Sequence, residues 1–375
     1  MELFIFISGI LLILWLAAER YAAVSHRRAL RHVIHVNGTR GKTAVTRLIA
    51  AGLSAGGIRT FCKTTGTVPM TIDPEGRETP IRRRGKANIR EQIRMLKLAA
   101  ASGAEALVIE CMAVDPELQY VCEHRILHSD LGVITNARVD HLAEMGSTPE
   151  EVCRALCCTI PEQGTVFTAD AACYPLIAEA AEKQGSRAVL ADSARDLPED
   201  ELFPENLALA LAVCKAAGVE EAAALRGMRA VRKDPYTVEC RRLAGGAVFL
   251  NGMSANDPYS TALLLERFLR HSGLRPERTV MILNSRGDRG YRTDLMTDYI
   301  LNAHPEEVWL LGQGSRAAAR RLRKAGLSIR CFPDAASLPL AEPGADTLIY
   351  AIGNIAQEGI LLTERTEKEG SAYVC

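Results

Sequence analysis

The chain has 375 residues, with 45 lysines and arginines balanced by 45 aspartates and glutamates. That length exceeds the usual single domain and predicts two globular units, ample for an enzyme, while the neutral balance excludes a net field that would draw the chain to nucleic acid. Its eleven cysteines follow no repeating spacing and cannot all pair within one chain, so they are read as reduced thiols.

Leu3 to Ala18 reads LFIFISGILLILWLAA, an uncharged run near the lower length limit of a spanning helix, about 17 to 25 residues. Tyr21 to Val24 extend it. Arg20, Arg27, Arg28 and Arg31 follow, which by the positive-inside rule places the downstream chain in the cytoplasm. A cleaved signal peptide is the rival reading, but positive charge follows the run rather than preceding it, and no small-x-small site precedes a polar start. The expectation is an uncleaved single-pass anchor over residues 1–24 in the cell membrane.

His32 to Val36 is a short β-branched strand, and Thr43 to Leu53 carries apolar residues at helical spacing, with Gly38, Thr39, Arg40, Gly41 and Lys42 between them. A phosphate loop needs inward backbone N–H groups, a lysine to meet phosphates and a hydroxyl beside it for magnesium. Gly38, Gly41, Lys42 and Thr43 supply these, although the generic pattern wants glycine where Val36 stands. Arg82-Arg83-Arg84-Gly85-Lys86 is a local positive patch, read either as a track for a polyanion or as a solvated loop.

Asn88 to Ala101 and Pro149 to Cys158 read as helices, and Leu107 to Glu110 and Leu131 to Thr135 as apolar strands with polar carboxyl ends. This alternation predicts a parallel sheet covered on both faces, with ligands beyond the strands' carboxyl ends. Cys153, Cys157 and Cys158 are core packing, since no histidine pair or second cysteine pair completes a metal set. After a helical region, strands at Ala247–Leu250, Val280–Leu283, Val308–Leu311 and Thr347–Tyr350 begin a second domain. The expected fold class is α/β: an anchor helix (1–24), a P-loop parallel-sheet central ATPase domain (31–232) and a smaller Rossmann-like C-terminal α/β domain (233–375).

His35 to Thr43 is similar to the shortened phosphate loop of Mur ligases and folylpolyglutamate synthases, which carry asparagine where this chain has Arg40. Ile134 to His141, continuing to Gly146, resembles their second signature. The chain more closely resembles the PgsB/CapB family, the ligase subunits of bacterial poly-γ-glutamate synthases. That likeness rests on Asn37-Gly38, Arg40-Gly41-Lys42, Lys63 to Thr67, Glu110 to Val114, Asp140-His141, Met145-Gly146 and Thr159 to Pro161. Asn251-Gly252, Ala255 to Asp257, Arg286, Asp288-Arg289 and Gly353 to Ile355 continue it.

The resemblance implies ATP and Mg2+ as cofactors. Lys42, Glu110 and His141 would be catalytic, with Thr43 and Glu110 ligating one magnesium and His141 a second; a hydrogen-bonded loop histidine is the alternative for His141. Asp140 and Asn136 would orient that ring. Asn206 resembles an adenine-binding asparagine, or else caps a helix starting at Leu207. Asp257 and Arg289 would face the nucleotide, and Arg286 and Arg292 would grip a substrate carboxylate.

Three departures from Mur ligases matter. Arg154-Ala155-Leu156 stands where they place a carbamylated lysine, so none is expected. Asp234 to Glu239 lacks their glycine-arginine pair, leaving Arg241, Arg242 or nothing in its place. The loop follows the anchor directly, which disfavours a carrier-binding domain and cell-wall precursor ligation. The implied activity is ATP-dependent joining of glutamates by γ-glutamyl bonds through an acyl phosphate. Glutamate, poly-γ-glutamate, a multi-pass membrane subunit and an accessory subunit would be partners, and nucleic acid would not. The alternatives are a folylpolyglutamate-type ligase and a membrane-tethered ATP switch without ligation.

Overall fold

The apolar run at the start of the chain forms one continuous helix, α1 (Glu2–Arg28), which carries on through the arginines that follow it. Among the described residues it is the one helix long and apolar enough to cross a membrane, and its apolar window is unburied. Its C-terminal half is fastened to the protein. Arg27 pairs with Asp130 at 2.8 Å and donates to the Leu127 carbonyl at 3.0 Å, while Arg90 pairs with Glu19 at 2.5 Å and lies 5.5 Å over the Trp15 ring. The computed structural model describes the chain except residues 1, 67, 84, 86, 193–202, 232–237, 288–289 and 374–375, so Arg84, Lys86 and Asp234 to Thr237 lie outside the described residues. Contacts divide the chain into two units, Met1–Arg232 and Lys233–Cys375.

In the first unit α1 leads into β1 (His32–Asn37), α2 (Lys42–Ala55), β2 (Thr60–Lys63), β3 (Met70–Ile72), β4 (Glu78–Pro80), α3 (Glu91–Ala101), β5 (Ala106–Glu110) and α4 (Pro116–Val121). A π-helical turn over 122–127 precedes β6 (Leu131–Ile134), α5 (Leu142–Met145), α6 (Pro149–Leu156), β7 (Thr165–Thr168), α7 (Tyr174–Lys183), β8 (Arg187–Leu190), α8 (Pro204–Ala216) and α9 (Glu221–Arg229). The strands form one sheet in the order β4-β3-β2-β5-β1-β6-β7-β8. It is parallel from β2 to β8, and β3 and β4 add an antiparallel hairpin at one edge.

Both faces of this sheet are covered, which is why its central strands read as unbroken apolar runs. Ile34 and Val36 of β1 pack with Val45, Ile49 and Leu53 of α2 and with α8 and α9. Val33, Leu107 and Ile109 face the other way, onto Met95 and Leu96 of α3. The chain winds from β1 to β2 and β5 on one side, then crosses to β6 on the other. The crevice at that reversal lies beyond the carboxyl end of β1, where open α/β sheets bind ligands.

The second unit contains β9 (Glu239–Arg242), β10 (Val248–Asn251), α10 (Pro258–Ser272), β11 (Arg278–Ser285), α11 (Gly290–Ala303), β12 (Glu307–Gly312), α12 (Ser315–Lys324) and β13 (Ile329–Cys331). It ends with β14 (Thr347–Gly353), α13 (Glu358–Glu369) and β15 (Ser371–Ala372). Its sheet order is β13-β12-β11-β14-β10-β9-β15, parallel as far as β10 and antiparallel at the β9–β15 edge. The α/β class with two largely parallel sheets therefore stands. One expectation about the cysteines does not: Cys240 is disulfide-bonded, while the other described cysteines are free and mostly buried.

Candidate active site

The loop between β1 and α2 has a backbone that only glycine adopts freely at two points. Gly38 has φ 128° and Gly41 has φ 78°. Space is also short: a Cβ at Gly38 would sit 2.0 Å from Thr135 Oγ1, and one at Gly41 would sit 2.9 Å from Asn206 Oδ1. Gly41 caps α2 in the left-handed conformation without a side-chain cap bond. The first N–H groups of α2 thus keep no intrahelical partner, and a helix start of this kind receives anions.

Asn136, just beyond β6, braces this loop from the next strand. Thr39 donates to it through N to the Asn136 carbonyl at 3.0 Å and through Oγ1 to Oδ1 at 2.8 Å and to the carbonyl at 3.3 Å. The Arg40 N–H also donates to Asn136 Oδ1, at 3.2 Å, and the Arg40 carbonyl accepts from Asn136 Nδ2 at 3.1 Å and Thr135 Oγ1 at 2.6 Å. The bonds of Asn136 therefore go to the β1–α2 loop rather than to His141, correcting the expectation that it orients that ring. Thr135 joins the same brace without any motif that singles it out.

Arg40 ion-pairs with Asp140 at 2.7 Å and donates to the Thr39 carbonyl at 3.0 Å. Asp140 Oδ1 accepts from the His141 N–H at 2.9 Å, and the His141 Nε2 lies 3.8 Å from Asp140 Oδ2. His141 itself has φ 50°. Asp140 thus ties the His141 segment to the loop through Arg40.

Lys42 curls back so that Nζ donates to the Gly38 carbonyl at 2.7 Å. Burial lowers its pKa, and the Glu110 carboxylate partly offsets that effect. Thr43 Oγ1 donates to Glu110 Oε2 at 3.0 Å, and the Thr65 N–H reaches the same oxygen at 2.7 Å. Glu110 is buried at the carboxyl end of β5. A hydroxyl and one carboxylate, completed by phosphate oxygens and water, are donors of the kind Mg2+ takes. Among the described residues no three histidines, cysteines, aspartates or glutamates gather into a metal-binding group, so Glu110 and His141 do not form a ready-made cage.

Beneath the loop lies a buried ionic pair that the motifs did not reveal. His35 Nδ1 is 2.8 Å from Glu123 Oε2, both side chains being essentially inaccessible. Burial works against a charge on His35, but the neighbouring Cys111 and Glu123 overcome it and raise its pKa to about 9. Burial likewise disfavours the Glu123 carboxylate, yet His35 and the Ser129 N–H and hydroxyl, at 2.7 and 2.9 Å, hold its pKa below the ordinary value. The π-helical turn delivers Glu123 to this position.

Asn206 lies against Gly41, in the first turn of α8. That helix is capped at Phe203, so Asn206 is not its N-cap. In the second unit Asp257 caps α10, accepting from the Ser260 N–H at 2.8 Å and from its hydroxyl. Arg286 and Arg292 are half-buried after β11 and at the start of α11, while Asp288 and Arg289 lie outside the described residues. Arg241 pairs with Glu239, and Arg242 donates to the Gly246 carbonyl at 3.0 Å and lies 4.8 Å over the Tyr373 ring.

Comparison with known proteins places both units. Residues 36–206 match the Mur ligase middle domain, and residues 239–369 match the C-terminal domain of poly-gamma-glutamate synthase CapB. The chain is 37% identical over 307 residues to the capsule biosynthesis protein CapB of Bacillus anthracis, covering 77% of this chain and 65% of the relative. It is 33% identical over 294 residues to the PGA synthase CapB of Bacillus subtilis strain 168, covering 75% of this chain and 74% of the relative. Folylpolyglutamate synthase of Mycobacterium tuberculosis, solved with ADP, shares the fold at a TM-score of 0.69 and 17% identity, covering 95% and 94% of the two chains.

Proposed function

The chain belongs to the CapB family of poly-γ-glutamate synthases, whose nucleotide unit is that of the Mur ligases, and from that membership we propose that it is an ATP-dependent amide ligase joining glutamates by γ-glutamyl bonds. The observation that carries this reading is the meeting of Lys42, Thr43 and Glu110 at one anion-receiving loop, delivered by two adjacent strands.

ATP binds with its terminal phosphates on the N–H groups of residues 38–43, and Lys42 exchanges the Gly38 carbonyl for a phosphate oxygen. Thr43 and Glu110 are the residues that would hold Mg2+, which when bound would neutralise charge on the phosphates. A glutamate γ-carboxylate oxygen attacks the terminal phosphorus, the bond to the bridging oxygen breaks, and ADP leaves with an acyl phosphate formed. Lys42 spreads the charge that develops on the transferred group, a positioning and electrostatic task. The neutral amine of a second glutamate then attacks the acyl carbon, loses a proton and expels phosphate, leaving the amide. Arg40 and Asp140 hold the His141 segment against the loop during these steps. In this reading Asn206, beside Gly41, meets the adenine and His141 meets the acyl phosphate.

In the second unit Asp257 and Arg289 serve the nucleotide, and Arg286 and Arg292 the substrate carboxylate. α1 anchors the enzyme in the cell membrane with both units on the cytoplasmic side, as its trailing arginines favour. One helix makes no export path for a polyanion, so a multi-pass partner and an accessory subunit complete the synthase. The test is ADP release by membranes carrying the chain and these partners. Release must require glutamate and fall at least about a hundredfold in Lys42→Ala, the scale of losing a transition-state charge partner. Glutamate-independent release, or equal release by both forms, rules the ligase out.

A further inference from the structure

The segment after β4 and the start of α3 border an open surface cavity of about 530 Å3 whose lining includes Arg82, Arg83, Arg90, Glu91 and Arg94. Four guanidinium groups thus face one carboxylate in a chain with no net charge. That carboxylate is already committed. Glu91 accepts from Arg83 through both oxygens, at 2.8 and 2.9 Å, and its Oε1 lies 3.3 Å from the Nζ of Lys63, a lysine with no solvent-exposed surface. Arg90 is held by Glu19. Among the described residues Arg82 and Arg94 have no carboxylate partner, and both are exposed at the cavity.

Two features of the surroundings narrow the ligand. Lys63, behind Glu91, ends β2, and two residues later the Thr65 N–H bonds the Glu110 carboxylate, so the cavity and the phosphate loop share one short segment of chain. On its other flank the cavity meets α1 through Arg90, Glu19 and Trp15. A planar guanidinium fork suits carboxylates, and several forks side by side suit a chain of them.

We propose that this cavity is a second ligand site, which holds successive α-carboxylates of a γ-linked glutamate chain while the end of that chain reacts at the phosphate loop. The site rests on the ligase reading for its ligand, and its place beside α1 sets the polymer on a course toward the membrane. Arg82 and Arg94 supply the free charge, and Arg83, fixed by Glu91, supplies a rigid wall.

The test uses the full chain in discs of zwitterionic lipid and a fluorescent γ-linked glutamate decamer, read by anisotropy without nucleotide. The double variant Arg82→Gln, Arg94→Gln should bind the decamer about tenfold more weakly, as expected for two exposed ion pairs. Lys42→Ala should bind like the parent, added salt should weaken binding, and millimolar free glutamate should not compete. ATP binding and thermal unfolding of the double variant should match the parent. Equal decamer affinity in parent and double variant overturns the site, as does absence of decamer binding. Tightening by anionic lipid that depends on Arg82 and Arg94, without decamer binding, makes it a headgroup contact and also overturns the proposal. Because no turnover is needed, failure here leaves glutamate-dependent ADP release to be judged separately, and failure of that release leaves the decamer result standing.

Discussion

Gly38 shows how one atom can decide the shape of a loop. Alanine there must hold φ 128° and place its Cβ 2.0 Å from Thr135 Oγ1, so the loop has to move away from its brace. Strain of this kind costs on the order of 1–3 kcal/mol, and Gly38→Ala should weaken ATP binding by about tenfold or more with circular dichroism unchanged. A fluorescent nucleotide titration checks this. The His35–Glu123 pair makes a second residue-level prediction. Stability from His35 is fully present below its ordinary value of 6.5 and is lost as pH rises through about 9. Stability from Glu123 is present above its ordinary 4.5 and is lost as pH falls through its depressed value. The pair therefore contributes fully between 4.5 and 6.5, and the melting temperature should decline from there toward pH 9. In His35→Gln that decline should flatten; an unchanged slope assigns it to other groups. The turn and helix start that carry Lys42 and Thr43 were legible from spacing because they are local in sequence. His35 was not, because its partner lies 88 residues away in a turn with no motif of its own.

Among elements, the central strands β1, β5, β6, β10, β11, β12 and β14 were readable because burial on both faces forces an unbroken apolar run. The outer strands were not. β2 ends in Lys63, β8 is half-exposed, and the β3–β4 hairpin has little buried surface, so none offers a clean period. That hairpin is held from within instead: Arg47 of α2, almost fully buried, meets both Glu78 oxygens at 2.9 Å. Glu78→Ala removes two charge-assisted bonds from a buried guanidinium, a change that costs on the order of 3–5 kcal/mol. Hydrogen exchange should show protection lost first in β3, β4 and the facing turn of α2. Retention of parent-like protection there would mean that the hairpin is fixed by other contacts. α6 illustrates the opposite case, since its Thr148–Glu151 capping box declares the helix start in the sequence itself.

For the whole molecule, the two α/β sheets and the apolar first helix were foreseeable because each rests on long-range patterning of apolar residues, which survives ignorance of individual contacts. Membrane sidedness is open to direct measurement through Cys331, a free and exposed thiol in the second unit. A membrane-impermeant maleimide should label it only after cells are permeabilised, and Cys331→Ser should remove most of the signal because the other described thiols are buried or half-buried. Labelling in intact cells would place the second unit outside and reverse the topology drawn from Arg20, Arg27, Arg28 and Arg31.

The fastening of Trp15, Glu19 and Arg27 has a consequence for depth. With α1 as an anchor, the apolar stretch clear of the fastened part, Phe4 to Leu14, rises about 16 Å at 1.5 Å per residue. A hydrocarbon layer is about 30 Å thick, so that stretch alone leaves a mismatch, met by local thinning or by drawing the fastened turns into the interface. Trp15 is a side chain suited to that boundary. The nucleotide unit would then ride at a fixed height and tilt against the headgroups, with the arginine cavity as its bilayer-facing shoulder, rather than swinging on a tether.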